Sequence, residues 1–131
     1  GSKVLDVGCA DGYMGNFLIK TKNCEMWGIE PDRGGFSSAA GKGYKYLVNK
    51  RIEDAVEDDG LRNEKFDFII IGDVLEHIIN PNNILKTLRT FLRSNGHLIA
   101  SLPNVGHYSV RFALLFGKWE MTESGIMDKT H

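Results

Sequence analysis

Three groups of residues in this 131-residue chain have the types and spacing to do chemistry together. The first is Asp6-Val7-Gly8-Cys9-Ala10-Asp11-Gly12, where an apolar run gives way to small residues. Small residues let a ligand approach the backbone, and a helix beginning after them offers unpaired N–H groups. The second is Glu30, followed by Pro31, at the end of the next apolar run. A carboxylate there can accept two hydrogen bonds from a ribose diol. The third is Gly72-Asp73-Val74-Leu75-Glu76-His77, just past the most apolar stretch of the chain. Asp73 stands where a strand's carboxyl end meets a ligand. His77 is the natural base, because imidazole titrates near neutrality. Glu76 and His77 either face an acceptor or brace the next helix.

These residues need a frame. Lys3–Val7 reads as a buried strand, and the helix after Gly12 should turn Met14, Phe17 and Leu18 inward. A second strand spans Glu25–Ile29, a short helix follows from Phe36 to about Ala40, and a third strand spans Tyr44–Val48. Glu53 to Asp59 is acidic and reads as a surface helix or loop. Phe66–Ile71 lacks polar alternation after Asp67, the pattern of a strand covered on both faces inside a parallel sheet. Asn80 caps the next helix, Pro81 takes its first position, and Ile84, Leu85, Leu88, Phe91 and Leu92 form its apolar stripe. Arg89 and Arg93 fall near its end, and Gly96 is its expected stop. A fifth strand, His97–Leu102, closes at Pro103. A last apolar helix covers Val110–Phe116, with Phe112, Leu114, Leu115 and Phe116 read as core ahead of an acceptor pocket or an amphipathic membrane contact, since the stretch lacks a basic face.

Strands alternating with helices predict an α/β fold, a Rossmann-like, doubly wound, mainly parallel sheet. Ligands bind such sheets beyond the carboxyl ends of the strands at the switch point, which gathers loops 8–12, 30–32 and 72–77. Asn104, His107 and Tyr108 follow the fifth strand and either overhang that pocket or open a helix.

Sixteen basic residues against 17 acidic ones give a net charge of −1, so charge offers no reason to expect nucleic acid or an anionic membrane as partner. Apolar runs fall well short of the ~20 residues of a membrane span, and no charged-then-apolar leader opens the chain. A cytoplasmic domain is the expectation. Cys9 and Cys24 form neither a CxxC pair nor a zinc spacing and are expected to be free thiols. The dinucleotide fingerprint G-x-G-x-x-G, counted from Gly8, fails at Ala10 and Tyr13, which disfavours a nicotinamide dehydrogenase.

The pattern Asp6-x-Gly8-x-x-x-Gly12 resembles the first motif of class I S-adenosylmethionine-dependent methyltransferases, with Ala10 at the central glycine. Trp27-Gly28-Ile29-Glu30-Pro31-Asp32 is similar to that family's second motif, Phe66 to His77 to its fourth-strand motif, and Asn95 to Asn104 to its fifth-strand segment. Asp-Val-Leu-Glu-His at 73–77 and Pro-Asn-Val at 103–105 resemble a bacterial subgroup that often accompanies glycan synthesis. The resemblance implies S-adenosylmethionine as cofactor and a small-molecule or glycan-type acceptor. It implies cofactor contacts from Asp6, Gly8, Cys9, Ala10, Asp11, Gly12, Glu30, Pro31, Gly72, Asp73 and Val74. Arg51 aligns where an acidic residue near the adenine amine is common, leaving the Ile52 backbone and the Glu53 side chain as substitutes. It also implies a single domain over residues 1–131 that lacks a helix before the first strand and two strands after the fifth. Two other readings stand beside it. Asp73, Glu76 and His77 faintly resemble the metal site of small-RNA methyltransferases, and the fold could serve as a cofactor-binding module without transfer.

Overall fold

The computed structural model describes residues 1–104, 107, 111, 112 and 115–117. Among these residues five strands form one sheet: β1 (Lys3–Val7), β2 (Glu25–Ile29), β3 (Tyr46–Val48), β4 (Phe66–Gly72) and β5 (Leu92–Ser101). Their order is β3-β2-β1-β4-β5 and every neighbouring pair is parallel. The chain winds outward from β1 to one edge and then returns to β4 on the other side. The switch point therefore lies between β1 and β4, as the alternation predicted.

Side-chain alternation assigns the two faces. Leu5, Val7, Trp27, Ile29, Ile69 and Ile71 point into one core with Ile52, Ala55 and Val56 of α3 (Ile52–Ala55) and its exit, and with Ile84, Leu88 and Phe91 of α4 (Pro81–Phe91). Each fully buried side chain of this size contributes about 1.5–3 kcal/mol. The opposite face presents Asp6 and Gly28, against which α1 (Tyr13–Lys22) and the Tyr44 ring pack. Helix α2 (Arg33–Ala40) adjoins β3.

Several expectations need correction. In α1, Met14 and Phe17 are 47% and 53% exposed, and the inward residue is Gly15. A Cβ on Gly15 would overlap the Tyr44 ring, so a long-range partner fills the space that the apolar pattern assigned to side chains of the helix itself. β4 is sealed on one face only: Ile69 and Ile71 are buried, Phe68 and Ile70 half-buried. Helix α2 starts at Arg33 rather than Phe36, because the Asp32 carboxylate caps it by accepting from the Gly35 N–H at 2.8 Å. β3 starts at Tyr46, and the acidic stretch holds a short helix with Ile52, Ala55 and Val56 buried.

Asn80 occupies the N-cap of α4 without a side-chain cap bond, and Pro81 sits at the helix start as expected. The helix ends at Phe91, and Gly96 lies inside β5 instead of stopping the helix. Residues 93–96 bulge between the pairs Phe66–Leu92 and Phe68–His97. A Cβ on Gly96 would stand 3.0 Å from the Phe66 carbonyl oxygen, so the glycine serves this close approach. Among the described residues β5 forms one edge of the sheet and β3 the other, with Ile99 of β5 52% exposed. The last predicted helix falls partly outside the described residues, and its described members Phe112, Leu115 and Phe116 are exposed rather than in the core. Leu114 and the tail from Trp119 lie outside the described residues. Cys9 and Cys24 are free thiols.

Candidate functional site

The loop after β1 is pinned to β2 by its backbone. The N–H groups of Gly8 and Cys9 both donate to the Ile29 carbonyl, at 2.8 and 3.1 Å. Gly8, Ala10 and Gly12 all have positive φ, at 76°, 48° and 78°. Two of these positions are glycine, which takes the left-handed region freely; for Ala10 it costs about 1–2 kcal/mol. The Ala10 N–H donates to Glu30 Oε2 at 2.7 Å, and this bond to a charged acceptor offsets the strain.

Glu30 thus has two tasks. Its side chain is 7% exposed; Oε2 receives the Ala10 N–H and Oε1 receives the Asp32 N–H at 2.8 Å. A carboxylate has about four acceptor positions, so each oxygen keeps a lone pair for a ligand. Asn49, which the sequence did not mark, donates through Nδ2 to the Glu30 and Pro31 carbonyls and holds that corner closed.

Beyond β4, Asp73 is a non-glycine residue at φ 50°. Ser101 at the end of β5 holds it: the Ser101 hydroxyl donates to Asp73 Oδ1 at 2.9 Å, and the Asp73 N–H approaches Ser101 Oγ at 3.2 Å. A one-turn 3-10 helix, Leu75–His77, then leads towards α4.

These loops enclose two adjoining cavities. The larger, of about 400 Å³, is bounded by Glu30 and Pro31 on one side, Ile52 and Glu53 on a second, and Val74 and His77 on a third. The smaller, of about 300 Å³, is bounded by Asp6, Cys9, Asp11, Tyr13, Met14 and Ser101. Gly8, Ala10, Gly72 and Asp73 border both. Arg51 lines the larger cavity, and its guanidinium stands 3.7 Å from the Glu53 carboxylate.

Gly12 and Glu76 line neither cavity. Gly12 instead precedes α1, where a Cβ would stand 2.9 Å from Ala39, and the Glu76 carboxylate oxygens are buried. Asn104 and His107 also line neither; the His107 N–H donates to the Asn104 carbonyl in a local turn. Tyr108 lies outside the described residues. Among the described residues, no three His, Cys, Asp or Glu side chains converge as a metal site. Nor does any described helix have the length and apolarity to cross a membrane.

Burial and charge set the protonation of the groups lining the smaller cavity. Burial raises the Asp6 carboxyl above its ordinary range, opposed by a hydrogen bond from the Tyr44 hydroxyl and reinforced by the charge of Glu30. Burial, with the nearby Asp6 and Glu30 charges, pushes the Cys9 thiol up to about 12. Cys9 is therefore a neutral wall at physiological pH and no nucleophile. On the exposed rim, a hydrogen bond from Lys42 holds Asp11 below the usual carboxylate range.

Comparison with known proteins agrees with this geometry. A family model described as methionine biosynthesis protein MetW matches residues 1–130. The ubiquinone biosynthesis O-methyltransferase of Acinetobacter baumannii (strain AYE) is 25% identical over 123 residues, covering 88% of this chain and 49% of that protein. The mitochondrial protein of the same description from Homo sapiens is 27% identical, covering 100% of this chain and 36% of that one. The chain thus spans about half or less of the curated relatives it matches. Among solved structures, the plantazolicin methyltransferase BpumL, in complex with a monoazolic desmethylPZN analog and SAH, superposes with a TM-score of 0.72 at 20% identity over 87% of this chain and 43% of that one. A SAM-dependent methyltransferase from Archaeoglobus fulgidus gives 0.68 at 20% identity over 79% and 45%. At these identities the structures establish the fold.

Proposed function

Because the chain belongs to the MetW family and carries the class I methyltransferase fold, we propose that it binds S-adenosylmethionine and directs methyl transfer to a small-molecule or glycan-type acceptor. The observation that carries this proposal is Glu30: a buried carboxylate at the switch point, braced by two backbone N–H groups, with lone pairs left facing a cavity of about 400 Å³. That volume lies within the range of small-ligand sites. Residues 1–131 act as one cofactor-binding unit in this proposal.

The side chains present fit the cofactor. Glu30 would accept the two ribose hydroxyls, with Pro31, Ile52, Val74 and Ile78 as apolar walls for the adenine ring. Gly8 leaves the cradle open, since a Cβ there would run into Val74 Cγ2. The smaller cavity, with Asp6, Asp11 and Asp73, would receive the ammonium group of the amino-acid end. When bound, the sulfonium supplies a methyl group already activated by its own leaving group.

The protein's share is then alignment, worth up to ~7–11 kcal/mol in ideal cases. Asp73 sits on the wall between the two cavities, where donor and acceptor would meet. His77, on the larger cavity, would take the acceptor's proton where the acceptor carries one. Glu76, buried beside it, would act by bracing the turn rather than by touching the acceptor. His77→Ala should then lower turnover more than cofactor affinity.

Mass spectrometry of ligand retained on the purified protein, followed by calorimetric titration with S-adenosylhomocysteine, tests the proposal. Retention or binding of the sulfur nucleoside supports it. A nicotinamide dinucleotide in its place, or no binding of S-adenosylhomocysteine, would refute it.

A further inference from the structure

Tyr44 lies in the loop before β3, remote in sequence from all three motif loops. Its ring occupies a slot that three glycines leave open. A Cβ on Gly12 would stand 3.1 Å from the ring, one on Gly28 would stand 2.9 Å from it, and one on Gly15 would overlap the hydroxyl. These glycines come from the first loop, from β2 and from α1, so a single phenol ties together three elements, of which the first loop and α1 line the smaller cavity. At the bottom of the slot the Tyr44 hydroxyl donates to Asp6 Oδ2 at 2.7 Å, while the backbone N–H of Gly15 faces the hydroxyl oxygen of Tyr44. Asp6 is 4% exposed and lines the smaller cavity. One carboxylate oxygen is therefore fixed by the phenol, and the second is left for a ligand.

We propose that Tyr44 is a positioning residue for cofactor binding, holding the Asp6 carboxylate oriented and ionised to receive the ligand's ammonium group. The proposal rests on the cofactor site described above. Its physical basis is the environment of Asp6. Tyr44 faces it from the loop before β3, Cys9 from the loop after β1 and Glu30 from the end of β2, while the neighbouring β4 position is the apolar Ile70. Cys9 is neutral and Glu30 repels, so the Tyr44 hydroxyl is the group here that favours the charged carboxylate. Burial raises the phenol's own pKa, which keeps it a donor at any physiological pH.

The test is a double-mutant cycle of Tyr44→Phe and Asp6→Asn, read by calorimetric titration with S-adenosylhomocysteine from acid to mildly alkaline pH, with thermal melts alongside. Removing one hydrogen bond to a charged group should raise Kd about tenfold near neutrality. Because the lost bond favoured the carboxylate, the acid-side fall in affinity should move to higher pH in Tyr44→Phe. In the Asp6→Asn background the same substitution should change Kd less than about twofold, since the two residues act as a unit. Four results would overturn the assignment. The first is an unchanged Kd and pH profile in Tyr44→Phe. The second is an equal loss with or without Asp6, and the third a change in melting temperature alone. The fourth is a failure of Tyr44→Phe to fold although its ring still fills the slot. Wild-type protein that does not bind S-adenosylhomocysteine would instead overturn the cofactor site, and this proposal with it.

Discussion

Replacing Glu30 by glutamine separates bracing from binding. The substitution keeps the shape of the side chain but turns one accepting oxygen into an NH2 group. In the folded chain both oxygens already accept, Oε2 from Ala10 and Oε1 from Asp32, so whichever way the amide turns, one N–H donor meets another. A hydrogen bond to a charged group is worth about 1.5–3 kcal/mol, and the site is 7% exposed, so water does not replace the loss. We therefore expect Glu30→Gln to destabilise the fold by about 2–3 kcal/mol, a large share of a typical 5–15 kcal/mol. Glu30→Ala would lose both bonds and release the strained Ala10, and its effect on affinity would be confounded by unfolding.

Glutamine also offers a ribose diol one accepting oxygen instead of two charged ones. That predicts a further loss of about 1.5–3 kcal/mol in binding, roughly ten- to a hundredfold in Kd. Urea unfolding measures the first quantity, and calorimetry with S-adenosylhomocysteine on the folded variant measures the second. Wild-type stability in Glu30→Gln would refute the bracing of the loop. Wild-type affinity would refute the diol contact.

Other outcomes follow from the same geometry. Gly8→Ala places a Cβ against Val74 at φ 76°, so thermal melts should show at least the ~1–2 kcal/mol of the left-handed backbone; adding Val74→Ala should relieve the clash but not that part. Asp6→Asn should change the pH dependence of stability. The raised Asp6 carboxyl keeps a proton that the unfolded chain has released, so wild type loses stability as pH rises from the ordinary carboxylate value through the folded one. The variant should gain on wild type through that window and match it in acid; a gap that does not vary with pH would contradict the expectation. Ser101→Ala removes the hydroxyl on Asp73 at an exposed site, so stability should stay within about 0.5 kcal/mol while Kd for S-adenosylhomocysteine rises a few-fold; an unchanged Kd would show that Ser101 does not position Asp73 for the ligand.

The sequence was most legible where a residue's role is set by its neighbours along the chain. The apolar runs 3–7, 25–29 and 66–71 became strands, and their order placed Gly8, Glu30 and Asp73 around one crevice. Ala10 was readable as a departure from glycine. That it adopts the left-handed conformation anyway, steadied by Glu30, depends on a contact 20 residues away. Failures came where a distant side chain decided the outcome. Periodicity turned Met14 and Phe17 inward because it could not register the Tyr44 ring lying on Gly15. Gly96 read as a helix stop because its actual task, close approach to the Phe66 carbonyl, exists only once β4 and β5 pair. Tyr44, Asn49 and Ser101 carried no local signal: a phenol, an amide and a hydroxyl acquire their meaning from Asp6, from the 30–31 corner and from Asp73.

A crystal structure of the protein with S-adenosylhomocysteine bears most directly on the site. The geometry predicts both ribose hydroxyls within about 2.5–3.0 Å of the Glu30 carboxylate oxygens, with Ala10 still donating to Oε2. A nucleoside seated elsewhere, or a Glu30 side chain that spends both oxygens on the backbone while the diol faces solvent, would contradict it.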